Sequence, residues 1–383
     1  MPKRLILCCD GTWNTPTQKE DGQLSPTNVA KLARSILPTA PDGTPQITFY
    51  HDGVGAENRL TQLLTGSSGF KKFSLKFMQA LLYGPAKLAG GAFGIGLSRI
   101  IEECYCFLVD NFEQGDELYL FGFSRGAYAV RSLAGLVRNS GILRKEHADR
   151  FAEAYRYYRD RDILTHPRSD QSAEFRTLYS RETSIKFIGV WDTVGSLGIP
   201  EFMLDRMVGN LWKFHDASLS TRVENAFQAL ALDERRGDFK PCLWEKQPDA
   251  PSTQVVEQVW FAGVHCDVGG GYADSGLSDC TLAWMINRAS GGNCRLACSN
   301  SQLQELLHPD PLAEIHNSLK GFFSRRPTFI RPVNQGRSSM ESVSTSVQER
   351  KDHPPSLYDP ENLQGYSGSF STVALQRAQT TGG

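Results

Sequence analysis

The chain has 383 residues, with 41 Lys plus Arg against 42 Asp plus Glu, 40% hydrophobic residues and 22% charged ones. These are the values of an ordinary folded, water-soluble protein, and they exclude the extreme compositional classes. A formal charge of -1 supplies no global field for a polyanion and no local basic patch stands out, so nucleic acid is not an expected partner.

Short apolar runs rich in β-formers alternate with helical patterns along the chain, which predicts an α/β fold with a mostly parallel central sheet and helices on both faces. The first strand is predicted at 5–9 and the second at 47–51. Between them, 28–37 reads as a helix with Val29, Leu32, Ala33 and Ile36 on one face, stopped by Pro38. Residues 56–97 read as an insertion. Its Phe70, Phe73, Phe77, Met78, Leu81 and Leu82 fall at helical spacing beside Lys71, Lys72 and Lys76, so it is a candidate lid or membrane-facing element, against the plainer reading of a helix packed on the body. Ile100, Ile101, Cys104, Phe107, Leu108 and Phe112 form a second helical stripe ahead of a strand at 117–121, and a third helix is predicted at 127–137. A strand at 185–191 follows. Thr221 and Glu224 then have capping-box spacing before Ala226, Phe227 and Leu230, which predicts a fourth helix at 221–232. The last predicted strand is 255–261. The expected organisation is one catalytic domain over 1–332 and a partly irregular extension over 333–383, rich in Ser, Thr, Gln, Gly and Pro.

The sharpest local signal is Gly122-Phe123-Ser124-Arg125-Gly126, between a predicted strand and a predicted helix. In that context GxSxG makes a tight turn that holds the serine exposed, and its glycines let strand and helix approach closely. A serine hydroxyl needs a base to take its proton and a carboxylate to orient the base. The chain supplies both in the order Ser, Asp, His: Asp192 ends the strand at 185–191, and His265 follows the strand at 255–261 in a glycine-rich segment. Both belong outside the carboxyl ends of parallel strands, where α/β sheets place their sites. Of eight histidines, only His51 also ends a strand, and it is the rival base. The oxyanion would need two backbone donors: the amide of Arg125, directly after the nucleophile, and Gly11 or Thr12 after the first strand. Asp10 and Asp267 are accessory candidates, the first capping its turn, the second holding its loop or binding a cation.

DGTWN after the first strand, then GFSRGAY, GVWDTVG, ALDERR and GVHCDVGGGY, resemble in that order an α/β-hydrolase family of bacteria and fungi long catalogued as uncharacterised, which includes phospholipase effectors of type VI secretion. The likeness runs from about residue 3 to about 290, with a weaker echo at Ser346, Val347, Arg350, Tyr358, Pro360, Asn362 and Leu363. It implies an α/β-hydrolase-like three-layer fold and a serine hydrolase cleaving carboxylic esters, with Ser124, Asp192 and His265 as triad; the apolar residues at 70–82 and the glycine-rich stretch after them suggest a lipid or phospholipid ester as substrate. An immunity or secretion partner stays unidentified. One departure is Gln228, near where the family often shows a histidine; the segment Asp233, Glu234, Arg235 and Arg236 reads as a structural ion-pair cluster.

Two rivals come from other classes. Cys8-Cys9-Asp10-Gly11-Thr12 resembles the DxDGT motif of magnesium-dependent phosphatases, but Cys8 stands where the nucleophilic Asp belongs. A hydrolase fold serving as a non-catalytic adaptor is the other. No cofactor and no metal are expected: there is neither a Walker loop nor a GxGxxG after the first strand, and Cys294 with Cys298 has no second pair to complete a zinc site. Nine cysteines at irregular spacing read as reduced thiols, and only five apolar residues precede Asp10, too few for a signal-peptide core. The chain is therefore expected to be cytoplasmic as synthesised, with any export independent of a cleaved signal.

Overall fold

The computed structural model describes residues 1–11, 14–53, 92–160, 162–194, 218–333, 340–354 and 358–372. Strand β1, Arg4–Cys9, is buried throughout and shows why both faces of the sheet must be covered. Leu5, Leu7 and Cys9 pack into one apolar cluster, and Ile6 and Cys8 into another. This two-residue period puts alternate side chains on opposite faces.

Seven more strands join β1: β2 (Gln46–His51), β3 (Glu117–Phe123), β4 (Phe187–Trp191), β5 (Asn225–Ala231), β6 (Val255–Phe261), β7 (Glu341–Ser344) and β8 (Phe370–Ser371). Their spatial order is β2-β1-β3-β4-β5-β6-β7-β8, and every pairing in this sheet is parallel. Helices α1 (Asn28–Ser35), α2 (Ala92–Asn111), α3 (Arg125–Ser140), α4 (His265–Gly269), α5 (Gly276–Ser290) and α6 (Thr345–Asp352) are the ones that matter for the site. Leu133 and Val137 of α3 pack with Ile100 and Leu108 of α2 over one face, while Val29 and Leu32 of α1 pack with Trp284 and Met285 of α5 over the other. The order in which strands are added reverses between β1 and β3, and it is outside the carboxyl ends at such a switch point that open α/β sheets place their ligands.

The predicted strands and the first three predicted helices are present, with ends shifted by up to a few residues except at α2, which begins well ahead of Ile100, at Ala92. The helix expected at 221–232 is not: its apolar part is strand β5, buried at all seven positions. A central parallel strand is covered on both faces and so carries apolar residues without alternation, and such a run mimics a helical stripe. Glu224, read as half of a capping box, instead bonds Ser184 and Lys186. The insertion expected at 56–97 lies outside the described residues up to 91, and its remainder belongs to the start of α2. In the extension over 333–383, β7, α6 and β8 continue the sheet, and Trp260 of β6 donates its indole N–H to Glu341 of β7 at 2.9 Å. All nine cysteines are free thiols.

One buried carboxyl sets a pH dependence. Glu102 on α2 is 2% exposed, and its Oε1 has no hydrogen-bond partner among the described residues. Burial, with the neighbouring Glu103 carboxylate, pushes it up to about 8. A folded-state pKa above the unfolded one means that its stabilisation is full below the unfolded value and is lost as pH rises through about 8. Glu102→Gln should therefore raise the thermal midpoint by on the order of 2 °C at about pH 9 and change it little at about pH 4. Equal shifts at both pH values in a melting series would contradict this.

Candidate active site

The chain leaves β3 at Phe123 and enters α3 at Arg125, so a single residue, Ser124, makes the whole turn. It does so at φ 55° and ψ -117°. A non-glycine residue there is strained, and such strain clusters at functional sites. The flanking glycines make the turn physically possible. A Cβ on Gly126 would lie 2.0 Å from the Cys9 carbonyl oxygen, and one on Gly122 would lie 2.5 Å from the Gly126 carbonyl oxygen. Strand and helix thus meet with no room for a side chain.

Asp192 is the next residue to break the ordinary backbone rules, at φ 40°. It follows β4, the neighbour of β3, and the Ser124 amide donates to the Trp191 carbonyl at 3.1 Å. Its carboxylate is fully buried and accepts from four donors: the Ala231 amide at 3.0 Å, His265 Nδ1 at 2.6 Å, and Arg331 Nη1 and Nη2 at 2.6 and 3.0 Å. Burial alone would raise its pKa, but the Arg331 guanidinium and the His265 ring more than offset that and hold it well below the usual carboxylate range.

His265 opens α4, where Asp267 accepts from the Val264 amide at 2.9 Å and Glu234 from the His265 amide at 3.2 Å. Its ring sits between Phe123, 4.6 Å away, and Phe239, 5.0 Å away. Burial lowers its pKa and Asp192 opposes this; the net shift is downward. A neutral imidazole with Nδ1 held by a carboxylate can accept a proton at Nε2. Phe123, the residue before Ser124, brings the β3 turn against this ring. Ser124 Oγ and the ring share no hydrogen bond among the described residues.

The other expected residues divide. Asp10 is buried and accepts from the Gly11 amide at 2.7 Å, Thr27 at 2.7 Å and Tyr50 at 2.6 Å, so it ties its own loop; burial pushes it up to about 6. The Gly11 amide, expected as an oxyanion donor, is therefore directed at Asp10. Thr12, the other candidate, lies outside the described residues. The Arg125 amide opens α3 directly beside Ser124. Asp267 holds its loop and also pairs with His316 Nδ1 at 2.6 Å. His51, the rival base, faces Glu103 at 3.0 Å, away from Asp192's partners. Gln228 bonds Arg131 and the Cys242 carbonyl. Within the acidic and basic segment, Glu234 pairs with Arg236 at 2.8 Å, while Asp233 accepts from Gly263 and Tyr358.

Sequence reasoning missed Arg331, Phe239 and His316. None sits in a motif: Arg331 and His316 come from loops and Phe239 from a single 3-10 turn (Gly237–Phe239), and only the folded chain brings them to the site. Among the described residues no group of three His, Cys, Asp or Glu side chains is gathered to hold a metal ion, and no helix is long and apolar enough to cross a membrane.

A parallel sheet with a serine turn and a His–Asp pair at its carboxyl edge defines an α/β protein of hydrolase-like layout. The family model described as T6SS, Phospholipase effector Tle1-like, catalytic domain, matches residues 3–288, and the chain belongs to that family. An uncharacterized protein of Saccharomyces cerevisiae is 31% identical over 263 residues, which cover 65% of this chain and 34% of that protein. Among solved structures, an uncharacterized protein from Pseudomonas aeruginosa is similar at 19% identity and a TM-score of 0.43, over 81% of this chain and 49% of that one. The Tle1 effector bound to the VgrG spike from the Type 6 secretion system is similar at 17% identity and a TM-score of 0.34, over 71% of this chain and 51% of that one. The chain thus spans about a third of the curated relative and about half of each solved chain.

Proposed function

We propose that the protein is a serine hydrolase that cleaves carboxylic esters of lipids, most specifically phospholipids. Ser124 attacks the ester carbonyl while His265 takes its proton. Asp192 orients the ring and stabilises the imidazolium, and the Arg125 amide with a donor from the loop after β1 holds the oxyanion. The imidazolium then protonates the leaving alcohol, and water releases the acyl group by the same route in reverse. The observation that carries this reading is the 2.6 Å contact between His265 Nδ1 and Asp192 Oδ2, with Asp192 at the end of β4, the strand beside the one that ends at the strained Ser124. Membership of a phospholipase effector family supports the lipid ester as substrate. The phosphatase rival is disfavoured because Cys8 is buried and both Asp10 oxygens are engaged within the fold.

The reading is tested by turnover of short and long acyl esters, with and without phospholipid vesicles. Long-chain esters should be cleaved about tenfold or more faster, with a further rise at vesicle surfaces, since each buried methylene adds about 0.8 kcal/mol to binding. Equal rates across chain lengths would remove the lipid substrate and leave a general esterase.

A further inference from the structure

Residue 331 lies beyond the segment matched to the family, yet its guanidinium is 1% exposed and spans both oxygens of the Asp192 carboxylate. Arg331 is itself fixed, donating from Nη1 to the Ala231 carbonyl at 2.8 Å and from Nη2 to the Phe239 carbonyl at 2.6 Å. Asn362 in turn donates to the Arg331 carbonyl at 3.2 Å. A planar fork bonded to a planar carboxylate at two points sets the rotation of that carboxylate as well as its position.

We infer that Arg331 is the positioning residue of the triad: it locks the Asp192 carboxylate in the plane that meets His265 Nδ1 and cancels part of the negative charge that the ring feels. The inference rests on the serine-hydrolase reading above. A bare buried aspartate would pull the imidazole strongly toward its charged form. With Arg331 in place the carboxylate still orients the ring, but the ring stays neutral and able to accept a proton to lower pH. The other charged or titratable groups around the ring are Glu234 and Arg236 on the loop after β5, Cys266 and Asp267 on its own helix, and His316 bound to Asp267. Among the described residues none of these groups lies within hydrogen-bond distance of the Asp192 carboxylate; Arg331 makes two such contacts.

The test compares the unaltered full chain with Arg331→Met, Arg331→Lys, Asp192→Asn and the double Asp192→Asn/Arg331→Met. It reads the His265 titration by NMR alongside kcat, KM and their pH profiles on an ester. Arg331→Met should raise the His265 pKa by about one unit or more and move the acid limb of kcat/KM upward by the same amount. It should also lower kcat about 10- to 100-fold with KM within about threefold, because only orientation at the reacting centre changes. Arg331→Lys keeps the charge without the fork, so the titration should stay near that of the unaltered protein while kcat stays low. In the Asp192→Asn background, removal of Arg331 should shift His265 little. An unmoved His265 titration in folded Arg331→Met would overturn the inference, and so would an equal shift with and without Asp192. If Arg331→Met does not fold, Arg331→Lys decides: unchanged kcat overturns the inference. The NMR titration needs no turnover, so absence of esterase activity in the unaltered protein would sink the hydrolase reading separately.

Discussion

Ser124→Ala should lower kcat on an ester by about 10⁴-fold or more, because loss of a triad nucleophile leaves only binding and oxyanion donors to act. Labelling by a fluorophosphonate probe should vanish with it. The substitution removes one oxygen from a half-buried turn and keeps the φ of 55°, so the thermal midpoint should move by no more than about 2 °C. Retention of most of the activity by a folded Ser124→Ala protein would assign the chemistry to another group.

The second large effect concerns the buried charges rather than the nucleophile. Asp192→Ala strands the Arg331 guanidinium, which is 1% exposed and has no other carboxylate in bonding contact among the described residues. Breaking such a pair from one side costs about 3 to 5 kcal/mol, because the remaining charge stays out of water. Denaturant unfolding should show that loss in Asp192→Ala, and the double Asp192→Ala/Arg331→Met should recover most of it while remaining inactive. Asp192→Asn also removes the counter-charge but leaves one acceptor oxygen for Arg331, so it should cost less than Asp192→Ala in unfolding, and it should lower kcat by about 10⁴-fold, since an amide at 192 favours the wrong imidazole tautomer. Similar unfolding curves for Asp192→Ala and the double variant would mean that the ion pair contributes little.

The parts of this site that the sequence made legible are those governed by local rules. GxSxG between a strand and a helix specifies a turn, and its glycines are the ones that β1 and α3 crowd. Asp192 and His265 were legible because strand ends point residues to one sheet edge. Strand β5 was misread because a run buried on both faces loses the alternation that marks a strand. Arg331 was invisible for a different reason: an arginine in a polar loop looks solvated until the fold buries it against a carboxylate 139 positions earlier. The Gly11 amide was assigned by position alone, and the short span to Asp10 Oδ1 was a side-chain choice that position does not encode.

The strands at Glu341–Ser344 and Phe370–Ser371 complete the sheet, and Arg331 precedes them by only a short stretch. A ribosome releases Ser124, Asp192 and His265 well before any of these. Until they emerge, the flank of Val255–Phe261 that carries Trp260 is an open template for other nascent chains, and the carboxylate at 192 lacks its counter-ion. Biosynthesis therefore delivers Ser124, Asp192 and His265 early, and the arginine and strands that pack beside them late.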